Sequence, residues 1–262
     1  MRDDCGRQSQ ACDAAGGPTT PGYKSLPPAI LPCGDAALTV EFSQTISAAV
    51  NARVLGLDAA LNDAGLTGVI ETAPAYRSLL VCYDPLVTTF AVLKQGILAL
   101  CEIALDMTGT GRGWVIPVAY GSAHGFDLDE VAGHHATTVS EIVRRHTSAR
   151  YRVFMVGFLP GFTYLGGLDA CLATPRRPVP RVTVPAGSIV IGGVQTAIGS
   201  IAGPSGWHVI GATPVRAFMP HRDPAIFMKP GDEVVFEAIS GAEHISLSAL
   251  AARGALVARP LT

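Results

Sequence analysis

The sequence has almost no net charge: 19 Lys and Arg stand against 21 Asp and Glu in 262 residues, −2 at pH 7. That balance removes the electrostatic reason to expect a nucleic acid or an anionic membrane as partner. It also lacks any C-x-x-C pair, since Cys5, Cys12, Cys33, Cys82, Cys101 and Cys171 are scattered. Isolated thiols without ligand spacing read as reduced cysteines of a cytoplasmic protein, not as a disulfide framework or a zinc site. No run reaches the roughly 18 apolar residues of a membrane span. Residues 1–28 lack the apolar core of a signal peptide and are polar and rich in Gly and Pro, which predicts a flexible tail on a soluble protein. No internal repeat is visible.

Several catalytic signatures are missing as well. There is no G-x-S-x-G elbow, and Ser205 in "GPSGW" has the wrong spacing and suits a turn. "HGFDLDEVAGHH" offers His124, Asp127, Asp129, His134 and His135 as metal-ligand types. It has no H-E-x-x-H spacing, and adjacent His134 and His135 cannot share a helical face, so no metal site is expected. "GTGRG" (109–113) lacks the Lys-Ser/Thr of a phosphate loop and is followed by a strand, which favours a link between domains.

What is present divides into two textures. "AALTVEF" alternates like a strand, and "TISAAVNARVLGLDAALNDAG" spaces Ile46, Val50, Val54, Leu57 and Leu61 on one helical face closed by Gly65. Two strands about Pro74, a helix entered at Asp84-Pro85 and the strand "RGWVIPVAY" complete a strand, helix, strand, strand, helix, strand order. That order predicts a small split-βαβ (ferredoxin-like) unit, assigned to 29–111. Past Tyr120 come two short helices with capping-box patterns, Asp127 with Glu130 and Thr138 with Glu141. From Tyr151 onward short strands alternate with turns such as Pro-Ala-Gly and Pro-Gly-Asp, which predicts a β-barrel or sandwich over 112–241. A short helix and tail fill 242–262. The fold class is therefore α+β with two domains.

The most constrained stretch is Gly157–Thr196. Prolines 175, 178 and 180 stiffen "TPRRPVPR" and present Arg176, Arg177 and Arg181, whose planar forks suit carboxylate or phosphate. Exposed loop arginines, or arginines paired with internal acids, fit the same residues equally well. Phe158, Phe162 and Tyr164 stand among glycines, as for the wall of a pocket or a barrel corner with core aromatics. Gln195, Trp207 and His208 lie beside glycine turns at strand ends, where a barrel mouth forms a pocket.

Taken together, "GDAALTVEF", "YRSLLVCYDP", "PVAYGSAHGFDLDEVA", "YRVFMVGFLPGFTYLGGL", "TPRRPVPRVTVPAGSIVIGGVQTAIGS", "GPSGWHVIGATPV" and "PGDEVVF" resemble the family of B-type 5-oxoprolinase subunits. That family is also called allophanate hydrolase subunit 1 or the Kip-type kinase inhibitor family. The resemblance spans roughly Pro32 to Ile239 and implies a cyclophilin-like β-barrel as the second domain. It also implies a second, related partner, the C-type 5-oxoprolinase subunit (allophanate hydrolase subunit 2). The pair resembles the carboxyltransferase part (subdomains C and D) of urea carboxylase. With a third, A-type component, such a complex opens 5-oxoproline to glutamate using ATP and Mg²⁺. One branch instead inhibits a histidine kinase, so a regulatory binding protein and a scaffold half of an allophanate-type complex stay open.

Under the enzymatic reading, Arg176, Arg177 and Arg181 hold anions, Gln195 and Trp207 contact substrate, His208 is a catalytic group that positions it, and His146 is a catalytic acid–base group or a satisfied structural histidine. The chain departs from the family pattern in three places. Ala202–Trp207 replaces S-P-G-G-W, Ala212 takes the arginine position of G-R-T-P, and Met219 takes the acid of F-D-P-x-R. No Ser-Ser-Lys amidase pattern accompanies the allophanate hydrolase name.

Overall fold

One polar cap and one glycine bound the first helix of the protein, whose computed structural model describes residues 27–103 and 111–261. Helix α1 (Ala48–Ala64) begins where the Ser47 hydroxyl accepts the Val50 amide, and ends where Gly65 turns left-handed at φ 55°. Its Val54, Leu57 and Leu61 are buried as their spacing predicts; Ile46 precedes the cap and is exposed. Helix α2 (Phe90–Ile103) starts later than Asp84-Pro85 suggests. Asp84 accepts the Leu86 amide in the preceding turn, while the Thr89 hydroxyl accepts the Val92 amide at the helix entry.

Both helices pack on a four-stranded antiparallel sheet ordered β1 (Ala29–Pro32), β2 (Ala37–Glu41), β4 (Ser78–Tyr83) and β3 (Val69–Pro74). Alternate residues Leu38, Val40, Leu79, Val81 and Tyr83 meet Leu57, Leu93 and Ile97 in one core. Each such buried aliphatic side chain contributes about 1.5–3 kcal/mol relative to exposure. The expected split-βαβ unit is corrected here. "RGWVIPVAY" is not its last strand; β1, at the edge of the expected tail, fills that sheet position. Residues 1–26, most of the expected tail, lie outside the described residues.

The strand "GWVIPVAY" instead opens a closed barrel. Seven strands follow one another around it: β5 (Gly113–Tyr120), β13 (Glu233–Ala238), β6 (Tyr151–Val156), β7 (Thr163–Gly166), β10 (Gln195–Ile198), β9 (Ser188–Gly192) and β12 (His208–Ala212), which returns to β5. Only the β5–β13 pair is parallel. On its other side β5 pairs with β14 (Arg259–Pro260) at Trp114 and Val115 and with β12 at Ala119 and Tyr120. Pro117, which has no amide to donate, falls in the gap between these two partners. Closure needs Gly211, because a Cβ there would meet Val118 Cγ1 at 2.8 Å and the Ala119 carbonyl oxygen at 2.9 Å.

Both faces of β9 are covered, which explains its unbroken apolar run. Ile189 and Ile191 join the barrel core, while Val190 joins Phe162, Trp207 and Val209 on the outside. A two-stranded flap of β8 (Arg181–Val184) and β11 (Gly203–Ser205) borders that outer cluster through Val184. Helices α3 (Leu128–His134) and α4 (Val139–Ser148) pack on the barrel through Leu128, Val131 and Ile142. The α4 cap forms, with Thr138 accepting the Glu141 amide, but the Glu141 carboxylate turns to Arg144 and Arg145. The α3 capping box does not form: Asp127 makes no side-chain cap bond, because its carboxylate is used elsewhere.

The β3–β4 turn joins the two units. Buried Asn51 donates to the carbonyls of Ala75 (3.2 Å) and Phe154 (3.0 Å), and the Tyr76 ring lies edge-on to Phe154 and Tyr164. Helix α5 (Gly241–Ala252) follows β13 and starts with a complete capping box between Ser240 and Glu243.

Candidate functional site

Two of the three arginines expected to hold anions are matched by internal acids. Arg181 grips Asp127 with two hydrogen bonds, 2.6 and 2.7 Å, and lies over the exposed Phe126 ring at 4.6 Å. Arg177 reaches Glu130 at 2.7 Å and Asp127 at 3.3 Å. Asp127 is buried and also accepts the Val209 amide, so the network ties the proline-rich segment to α3 and β12. Of the two readings of these arginines, the geometry favours internal pairing. Arg176 differs: it makes no ion pair among the described residues and lies over Trp207 at 5.6 Å.

The histidines also fall differently from the acid–base reading. His146 is completely buried, with Nδ1 2.8 Å from the Tyr120 hydroxyl and Nε2 3.1 Å from that of Thr196, and its ring stacks on Phe236. Burial pulls its pKa down to about 3, so it is a neutral core group with no route to substrate. His208 is buried with Nε2 donating to the Pro175 carbonyl at 3.0 Å, and its Nδ1 lies 3.9 Å from Glu130. It therefore belongs to the arginine network.

The aromatic residues come together on the outer barrel face. Phe162 contacts Phe158 and Tyr164, and Tyr164 contacts Trp207. Gly192 lies directly under the indole, where a Cβ would approach Trp207 to 2.5 Å. This is a packed satellite core and not a pocket wall, although Phe158 remains exposed at φ 70°. Gln195 is half-buried at the start of β10 and makes no side-chain hydrogen bond to a described residue. Of the glycine-rich link, 109 and 110 lie outside the described residues. A Cβ on Gly111 would strike the Gly231 backbone, and Arg112 pairs with Asp232.

The large cleft lies elsewhere, with a volume of about 640 Å³. That size suits a small molecule. Its walls are the loop after β5, the Pro185–Ser188 turn into β9, the segment after β10, residues 212–216 after β12, and α5. Ser200 is buried and its hydroxyl has no hydrogen-bond partner. Arg216 is exposed in the cleft and makes no ion pair among the described residues. The titratable side chains lining it are His124, Arg216 and His244; no Asp or Glu is among them. A cavity with one unpaired cation, an orphan hydroxyl and no carboxylate is electrostatically suited to a small anion.

Sequence reasoning missed Arg216, Ser200 and His244 as site residues. The available signal was the departure at Ala212. That residue lines this cleft, and Arg216, four positions further on, brings a guanidinium to it.

The carboxyltransferase domain, subdomain C and D, matches this sequence over residues 28–228. The chain belongs to that family. Among relatives of this carboxyltransferase-domain protein, the B-type subunit of the Bacillus subtilis (strain 168) 5-oxoprolinase is 38% identical over 223 residues, covering 80% of this chain and 92% of that protein. Its counterpart in the 5-oxoprolinase of Escherichia coli O157:H7 is 36% identical over 203 residues, covering 78% and 92%. Among solved structures, TTHA0988 superposes with a TM-score of 0.69 at 34% identity; the match covers 78% of this chain but only 40% of that one. The Kluyveromyces lactis urea amidolyase gives a TM-score of 0.77 at 17% identity, over 89% of this chain and 16% of that one, a likeness of fold alone. Among the described residues no helix is long and apolar enough to cross a membrane.

Proposed function

We propose that this protein is the B-type component of an ATP-dependent 5-oxoprolinase complex and that its cleft holds the carboxylate of the substrate. The observation that carries the reading is the 38% identity to the B-type component of a bacterial 5-oxoprolinase across nearly that protein's whole length. The cleft supports it, because 5-oxoproline is a small carboxylate carrying a lactam. Arg216 offers the carboxylate a planar two-pronged grip, and the Ser200 hydroxyl offers a donor to a second oxygen. Ala212, in place of the family's arginine, leaves Arg216 as the cation at this position.

An unstrained lactam resists hydrolysis at neutral pH. Phosphoryl transfer from ATP to the amide oxygen would activate the carbonyl carbon to attack by water. The C–N bond then breaks to free the amine, and a second water would hydrolyse the acyl phosphate to glutamate and phosphate. Among the described residues no three His, Cys, Asp or Glu side chains are grouped to hold a metal ion, so no residue of this chain is assigned to Mg²⁺. The share of this protein is to bind and orient the substrate anion, with a C-type sister protein and an A-type protein completing the enzyme in the cytoplasm. Exposed Phe158, Val179 and Val182, on segments that form or border the flap, suit the contact with the C-type sister.

The test mixes the purified chain with its two partner proteins, 5-oxoproline and ATP and follows glutamate. Glutamate appears only in the complete mixture, and Arg216→Ala raises KM for 5-oxoproline about tenfold, the loss expected for a charged hydrogen bond. Absence of glutamate from the complete mixture overturns the reading.

A further inference from the structure

One wall of the cleft comes from outside the matched carboxyltransferase segment. That segment ends at residue 228, whereas α5 spans Gly241–Ala252. Its His244 and Ser248 are one helical turn apart and both line the cleft. The complete capping box at Ser240 fixes the start of the helix, with the Glu243 carboxylate accepting the Ser240 amide at 2.8 Å. The His244 ring lies 4.4 Å from that of His124, which comes from the loop after β5.

His244 Nε2 is covered from water and has no hydrogen-bond partner, the same condition as the Ser200 hydroxyl. Buried polar atoms in native proteins nearly always find a partner. Both side chains line the cleft beside an unpaired guanidinium, and a small turn of the imidazole would bring Nε2 to a ligand with acceptor oxygens held there. The imidazoles face only each other and Arg216 among titratable lining groups. Burial, and then His124 beside it, pull the His244 pKa below its ordinary value. With no anion beside it, the imidazole is thus neutral at pH 7. An anion brought within hydrogen-bond reach favours the charged form and reverses that shift.

We propose that α5 makes the cleft a carboxylate pocket in which His244, backed by His124, takes up one proton as the anion binds and presents it in a charge-assisted hydrogen bond. This rests on reading the cleft as the substrate-anion site. By linkage, affinity is highest at low pH and falls as pH rises through the His244 pKa of the bound state.

Titration calorimetry of the full chain at pH 7.0 is run with 5-oxoproline, succinate and acetate, in two buffers of different ionisation heat. The expected result is a binding heat that depends on the buffer, showing net proton uptake of up to one per carboxylate bound. His244→Gln removes the uptake and weakens binding at least fivefold, while His244→Lys, which carries a fixed charge, restores binding without uptake. An unchanged thermal melt of both variants shows that α5 remains docked. Uptake with succinate or acetate but no binding of 5-oxoproline supports the pocket and removes the 5-oxoprolinase reading. Binding of 5-oxoproline with no buffer dependence, uptake that survives His244→Gln, or no binding of any of the three overturns the proposal.

Discussion

Asp127 and Arg181 face each other through two parallel hydrogen bonds, with the carboxylate buried and the guanidinium partly in water. The same carboxylate accepts the Val209 amide from β12. Asp127→Ala would leave Arg181 and the Val209 amide without their acceptor, and Arg177 with Glu130 alone. Loss of a fully buried ion-pair partner costs about 3–5 kcal/mol, and the partial exposure of both arginines lowers this to about 2–3 kcal/mol. Urea denaturation of the variant should show that loss, and Arg177→Ala, which leaves the Arg181 pair intact, should lose less.

The neutral core histidine makes stability fall with acid. The folded pKa of His146 is lowered to about 3, against an ordinary 6.5 in the unfolded chain. Below pH 6.5 the unfolded state binds a proton that the native state refuses. The contribution is complete above pH 6.5, is lost as pH falls toward about 3, and is flat below that. The slope from this group approaches about 1.4 kcal/mol per pH unit within the window. His146→Gln should flatten that part of the stability-versus-pH curve, measured by urea midpoints between pH 4 and 7, whatever it does to stability at neutral pH.

Gly192 is a packing requirement on the outer barrel face. Gly192→Ala pushes a methyl into the Trp207 indole and loosens the contacts of that ring with Tyr164 and Arg176. Overpacking of this kind costs about 1–3 kcal/mol. A shift in tryptophan fluorescence together with a lower urea midpoint is the expected result.

The capping box at α5 links stability to the cleft. Ser240→Ala removes the hydroxyl that accepts the Glu243 amide and should cost about 1 kcal/mol. Amide exchange should speed up mainly across residues 241–252. The exchange of β5 and β13 in the barrel should change far less.

The first helix was legible in its body and its end, because Gly65 is a local stop and Val54, Leu57 and Leu61 share one face, whereas the apolar pattern starts it too early, at Ile46, ahead of the Ser47 cap. The sequence could not disclose that Gly113–Tyr120 leaves the first sheet, since β5 pairs with strands about 90 and 120 residues away. Local propensity carries no information about such partners. The arginine cluster was legible as a feature but not as a site, because pairing with Asp127 and Glu130 bridges about 50 residues. His146 was ambiguous for the same reason: only the fold puts Tyr120, Thr196 and Phe236 around it. The cleft was the least visible element, because it is assembled from four separated turns and a C-terminal helix.

The parallel β5–β13 seam has a consequence for synthesis. All four strands of the first sheet lie within residues 29–83, so that unit has every partner soon after it leaves the ribosome. The second unit begins at residue 113 but cannot seal until residues 233–238 have been translated, and β14 adds only at 259–260. For more than a hundred residues the nascent chain therefore carries an open strand edge waiting for its mate, which makes this unit the slower to fold and the more exposed to misassociation.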